Sequence, residues 1–373
     1  MRANNVLGII YSNSYDSVLP ELTPLRAMGS VPFAGRYRLI DFPLSNMVNC
    51  GITNVGVITK GNYRSLMDHV GSGKAWDLSR KRDGLFVIPP FSDSAFGGEQ
   101  FRSRIEALHS AIGFIERSKA EYVLMCDSNV VCNMDFGDLI KYHSDKGADI
   151  TLVYKYEQAP KIPGILTFAL DASGRVSNEE LCRCGITCAA HSLNIFLLRK
   201  SLLERLLNDA VCLGYKDFDQ DIIASNVENL KIFGYECDSY ARTIDSLQTY
   251  YEINMDLLQP DQKDALFAPD RPVFTKVHDD MPSVYSHSSN VKNSLIADGC
   301  KIEGQVENCV FFRRVNVGRG AKLKNCVIMQ DTFIGEGADL NCVITDKNAV
   351  IKPDKVLSGD KNYPFFLGKG IVI

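Results

Sequence analysis

No apolar run in this chain reaches the ~18 residues that a bilayer span requires. Its first ten residues, MRANNVLGII, carry one arginine and only a short apolar stretch. They read as an opening β-strand rather than as a secretory signal. There is no excess of positive charge, since the formal net charge is −4. That argues against a nucleic-acid binder working by bulk electrostatics. Histidine is scarce, and from residue 285 onward His287 stands alone. Cysteine is the exception, with twelve residues. Without a secretory signal they read as reduced thiols used as small apolar residues, and a cytoplasmic location is expected. One group, Cys182, Cys184, Cys188 and His191, offers four ligands suited to zinc. Its spacing matches no standard knuckle and the segment runs into the strand-like Ser192–Leu198, so packing is the preferred reading.

A chain of 373 residues is too long for one ordinary core. In the first part, strand patterns at Val6–Tyr11, Val55–Thr59, Glu121–Cys126 and Asp149–Tyr156 alternate with helical ones. Ile40–Asn49 and Arg102–Lys119 read as helices, and Leu66–Val70 as the start of another. This alternation predicts a doubly wound, mostly parallel α/β sheet over residues 1–258. Residues 259–284 hold several prolines and many charges and read as a linker. Residues 285–373 lose helical periodicity and repeat instead: VKNSLI, VENCVFF, LKNCVIM and LNCVIT, with VGRGAKL and IGEGADL between them. Asn293, Asn308, Asn325 and Asn341 recur at spacings of 15 to 17 residues. Such a period predicts a hexapeptide-type parallel β-helix; a small β-sandwich would not repeat this regularly.

The stretch from Thr23 to Thr59 organises the first domain. Arg26, Arg36 and Arg38 place three guanidiniums in a loop broken by Pro24, Gly29, Pro32 and Gly35. Guanidinium forks suit phosphate or carboxylate oxygens, although a solvated basic loop would read the same way.

The string GRYRLIDFPLSNMVNCGITNVGVIT, together with EYVLMCDSN, KDFDQDII, YYEINMDLL and the coil repeats, resembles the glucose-1-phosphate adenylyltransferases, or ADP-glucose pyrophosphorylases. The resemblance spans nearly the whole chain. It implies a Rossmann-like nucleotidyltransferase domain followed by a left-handed β-helix. It also implies a tetramer controlled by anionic metabolites, making ADP-glucose and pyrophosphate from ATP and glucose 1-phosphate with Mg²⁺.

The residues that carry this chemistry depart from the pattern. The family's Gly-Gly-x-Gly-Thr-Arg loop is matched by Asn13, Ser14, Tyr15, Asp16, Ser17 and Val18. All three glycines and the arginine are gone, so close backbone approach to phosphates is obstructed. The lysine of Arg-Ala-Lys-Pro is matched by Met28, and the two metal aspartates by Asn129 and Thr243. The Tyr-Arg-Gly-Thr-Ala segment is matched by FRSRIEA, residues 101–107, and the sugar-phosphate lysine of Glu-Lys-Pro has no counterpart before Cys182. Asp217, Phe218 and Asp221 persist. This pattern resembles the GlgD branch, the non-catalytic partners within the family.

The expectation is therefore a regulatory subunit without a cofactor of its own, joined to a catalytic paralogue that uses Mg²⁺, as a heterotetramer. An active sugar-nucleotide pyrophosphorylase using Asp127 and Asp245 for the metal is the alternative. An acyltransferase using the solenoid would need a histidine in the coils, and His287 lies at the domain's entry. In the family, effectors bind between the N-terminal basic turn and the solenoid. Arg36, Arg38, Arg313 and Arg314 are therefore the candidate site for a phosphorylated metabolite.

Overall fold

The computed structural model describes residues 5–89, 103–162, 164–177 and 189–373. Val6–Tyr11 lies mid-sheet, parallel to both Asn54–Ile58 and Tyr122–Asp127, and Gly84–Ile88 extends that parallel half. The long strand Ala189–Arg199 runs antiparallel to Tyr122–Asp127 and to Ile150–Glu157. Ile232–Glu236 then pairs in parallel with Ile150–Glu157. Strand alternation sends side chains to both faces. Leu7 and Ile9 pack with Ile105, Leu108, Ile115 and Leu203 on one face; Val6 and Ile10 pack with Leu44, Leu66 and Leu139 on the other. Helices thus cover both faces of a mixed sheet, as the doubly wound pattern requires.

Three expectations change. The single helix over Arg102–Lys119 is two, Arg104–Ser110 and Ile112–Arg117, broken at Ala111. The Ser110 hydroxyl donates to the Ala107 carbonyl at 2.7 Å and competes with the helical ladder there. The short helix near Leu66 runs Arg64–Val70 and ends rather than begins there, stopped by Gly71 at φ 50°. The stretch after Gln259 contains a helix, Pro260–Leu266, with proline in its first turn, where its missing N–H costs nothing.

From Val284 onward the chain forms three sheets of five short parallel strands each, the parallel β-helix that the repeats predict and the left-handed one that the resemblance implies. Asn293, Asn308 and Asn325 turn consecutive coils with φ of 42°, 51° and 53°, a region asparagine tolerates. Their amides form a ladder: Asn293 donates to Asn308 at 2.8 Å, Asn308 to Asn325 at 3.4 Å, and Asn325 to Asn341 at 3.2 Å. The fourth repeat is offset by one residue. Asn341 pairs with Lys324, and Cys342 takes the left-handed turn at φ 51°.

The two domains share a core. Leu19, Met28, Phe33, Phe42 and Tyr250 pack with Val310, Phe312, Val327 and Ile344. A buried Arg26 donates twice to Asp346, at 2.9 and 2.8 Å. The Tyr251 hydroxyl donates to the Asn325 carbonyl at 2.8 Å. Gly35, at φ 78°, lets the basic turn approach the coil; a Cβ there would lie 3.1 Å from the Phe311 carbonyl oxygen.

Candidate functional site

Val6–Tyr11 and Tyr122–Asp127 end side by side, and a cleft of about 580 Å³ opens over their C-terminal ends. This is where open α/β sheets bind ligands. The loop Asn13–Val18 roofs one side and satisfies itself. The Asn13 side-chain oxygen accepts from the Lys60 backbone N–H at 2.7 Å and the Thr59 hydroxyl at 3.2 Å. Its amide donates to Asp16 at 2.7 Å and to the Gly61 carbonyl at 3.2 Å. The other Asp16 oxygen accepts from the Met28 backbone N–H at 2.8 Å. Burial raises the Asp16 pKa to about 6. Val18 and Met28, at the lost arginine and lysine positions, pack into the interdomain core. Tyr15 adopts φ 60° and accepts at 3.1 Å from Asn194, which a register shift in Ala189–Arg199 aims at it.

Sequence reading named Asp127 in the floor of the cleft but missed its partners Arg104 and Asp219. Arg104 forms an ion pair with Asp127 and reaches Asp219 at 3.4 Å. Ser14 donates to the other Asp127 oxygen at 2.7 Å. Burial pushes both carboxylates upward, Asp219 to about 6, while Arg104 works against that rise. The string KDFDQDII supplies backbone order here: Asp217 accepts from the N–H groups of Asp219 and Gln220, and Asp221 from those of Lys216 and Asp217.

Asn129 and Thr243, which the resemblance matches to metal aspartates, do come together. Ile244 N–H donates to the Asn129 carbonyl at 2.8 Å, and Thr243 faces Val130 across an antiparallel pair. Both side chains are buried, and Asn129 Oδ1 and Thr243 Oγ1 have no hydrogen-bond partner among the described residues. Two neutral oxygens do not meet the charge demand of Mg²⁺, a hard cation held by carboxylates. The nearby carboxylates are engaged: Asp127 by Ser14 and Arg104, and Asp245 by Lys161 N–H at 2.7 Å, Ser246 at 3.0 Å and the Thr249 hydroxyl. No group of three or more His, Cys, Asp or Glu among the described residues is placed to hold a metal. Cys182, Cys184 and Cys188 lie outside those residues; His191 is buried, 3.9 Å from Glu157.

At the domain junction, Arg36 is exposed over the Tyr37 ring and Arg38 donates to Ser65 at 2.6 and 2.9 Å. Arg313 lies 3.6 Å from Asp280. Arg314 is clamped by Asp331 at 2.6 and 3.1 Å and by Asp280 at 3.0 Å. Burial lowers the pKa of Arg38 to about 10, with Arg26 and Arg313 among its positive neighbours. Lys347 joins this group. Burial, then Arg38 and Arg26, push its pKa down to about 7. No repeat position marks Lys347; only the stacking of coil against loop reveals it.

Residues 16–178 match the nucleotidyl transferase family and residues 277–363 the family described as GlmU-like, C-terminal hexapeptide. The chain is 41% identical to the glycogen biosynthesis protein GlgD of Bacillus subtilis (strain 168), over 99% of this chain and 97% of that one. It is 31% identical to a glucose-1-phosphate adenylyltransferase of Clostridium botulinum (strain Eklund 17B / Type B), over 87% and 84%. The chain belongs to the glucose-1-phosphate adenylyltransferase family, in its GlgD branch. The GlgD protein of Geobacillus stearothermophilus matches at 41% over 99% and 97%. No helix among the described residues is long and apolar enough to cross a membrane.

Proposed function

We propose that this chain is a regulatory, catalytically deficient subunit of glucose-1-phosphate adenylyltransferase in glycogen biosynthesis. A catalytic paralogue converts ATP and glucose 1-phosphate to ADP-glucose and pyrophosphate with Mg²⁺, and this chain modulates it. The observation that carries the reading is the buried, neutral pair Asn129 and Thr243 at the metal positions. The self-satisfied loop around Asn13, Ser14 and Asp16 supports it, because its polar groups are spent on the protein. A working site built on Asp127 and Asp245 would first have to break the contacts that hold both carboxylates.

Regulation is assigned to the domain junction. Arg36, Arg38 and Lys347 gather at this junction beside Arg313 and Arg26, which Asp280 and Asp346 already engage; the exposed Arg36 is the group best placed to take a phosphorylated metabolite. Arg314 contributes least, since Asp331 and Asp280 already occupy its guanidinium.

The test is size-exclusion chromatography and ADP-glucose assay of this chain alone, of the catalytic paralogue alone, and of the mixture. Negligible turnover alone and altered kinetics in the mixture are expected. Each lost electrostatic contact commonly costs ~10²–10³ in rate. Robust turnover by the isolated chain, free of contaminating enzyme, overturns the reading. In the assembled complex, Arg36→Ala and Lys347→Ala should shift the response to phosphorylated metabolites or phosphate; an unchanged response curve removes the anion site.

A further inference from the structure

Arg104 stands where the family resemblance places the threonine of Tyr-Arg-Gly-Thr-Ala. Its side chain, 14% exposed, turns into the cleft floor and meets two carboxylates from separate elements. Asp127 ends the strand Tyr122–Asp127, and Asp219 lies on the turn Phe218–Ile223. The rings of Phe196 and Phe218 sit 5.7 and 5.9 Å from the guanidinium carbon. Ser14, from the phosphate-loop remnant, holds the second oxygen of Asp127. Two carboxylates this deeply buried are costly unless a cation stays with them. A guanidinium, weakly hydrated and planar, suits a site walled by rings.

We propose that Arg104 is a built-in counter-ion that locks the floor of this cleft. It ties the strand end, the loop remnant and the Phe218–Ile223 turn into one arrangement, and it shuts divalent cations out of the Asp127–Asp219 pair. The cleft then keeps its geometry without a ligand. This rests on the cleft alone and stands whether or not the chain has a catalytic partner.

The experiment uses the isolated full chain, thermal unfolding and Mn²⁺ as the probe. Arg104→Met should unfold several degrees below wild type, because the carboxylates lose their counter-ion. Millimolar Mn²⁺ should recover part of that loss in the variant and leave the wild-type midpoint unchanged. Arg104→Lys should lose less. The triple variant Arg104→Met, Asp127→Asn, Asp219→Asn should regain stability without Mn²⁺. The proposal is overturned by an Arg104→Met midpoint equal to wild type, or by a wild-type midpoint that rises with Mn²⁺ as the variant's does. Should Arg104→Met not be isolable, the triple variant decides. A folded triple supports the counter-ion role, and an unfolded one assigns Arg104 to packing and overturns it.

Discussion

Asp16 lies in the loop that the resemblance matches to the family's glycine-rich turn; one of its oxygens accepts from Asn13 within that loop and the other from the Met28 N–H. Its pKa of about 6 is set chiefly by burial, against the bonds from Asn13 and Met28. That lies above the ~3.9 of an unperturbed aspartate, so the folded chain holds the proton longer than the unfolded one. Its contribution to stability is therefore greatest at low pH and is lost as pH rises from about 4 to about 6. His143, pushed down to about 4 by burial, acts with the opposite sign over an overlapping window. A whole-protein profile mixes these with Asp219, which burial also pushes to about 6, but the difference between wild type and Asp16→Asn isolates the first. In urea unfolding, wild type should lose stability relative to Asp16→Asn as pH rises through that window. A pH-independent difference would refute the burial argument. At the same scale, Arg26→Met strands the buried Asp346 carboxylate between the domains. Breaking a buried pair from one side costs ~3–5 kcal/mol. Denaturant midpoints should show a loss of that order, and a double-mutant cycle with Asp346→Asn should show strong coupling.

At the scale of elements, the asparagine ladder separates two costs that usually travel together. Asn325 turns the chain at φ 53° and links two neighbouring coils through its amide. Asn325→Gly keeps the turn and drops the ladder, for a loss of ~1 kcal/mol. Asn325→Ala adds the left-handed penalty of ~1–2 kcal/mol, so its denaturant midpoint should fall further than that of the glycine variant. Equal losses would mean that the turn carries no strain. The ladder was legible in the sequence because each asparagine sits in a repeated string. The slip at Cys342 was not, because Asn341 continues the pattern by letter and only strand register exposes the offset. Ile105, Leu108, Ala111, Ile112 and Ile115 likewise keep helical spacing straight across the break at Ala111. The lost site residues were legible because they fall within short contiguous motifs. The cluster in the cleft floor was not: Asp127 was a candidate on its own, but Arg104, Asn194 and Asp219 come from separate segments and meet it only through the sheet. Lys347 comes under the positive field of Arg38 across the domain junction in the same way.

At the scale of the molecule, the proposed subunit role makes its strongest demand on surfaces. The β-helix has two open ends, and both carry exposed apolar side chains. Val284 and Tyr285 lie on the first coil, with Met281 just before it, and Val356, Tyr363, Phe365 and Val372 lie at the last. Open solenoid ends need capping or a partner. Co-expression with a catalytic paralogue is expected to give a co-purifying hetero-oligomer, two of each chain in a tetramer. Tyr363→Glu and Val356→Lys are exposed enough to leave the chain's own stability nearly unchanged, yet they should weaken assembly if that end is buried by a partner. A non-catalytic subunit acts by biasing its neighbour between states. A coupling of ~1–3 kcal/mol corresponds to about 5–150-fold in effector affinity. The complex should therefore differ from the catalytic subunit alone in maximal rate or effector response, and the end-directed substitutions should reduce that difference as they reduce co-purification. If the two proteins elute separately at micromolar concentration and mixing changes no kinetic parameter, the regulatory-subunit reading fails, whatever the state of the cleft around Arg104.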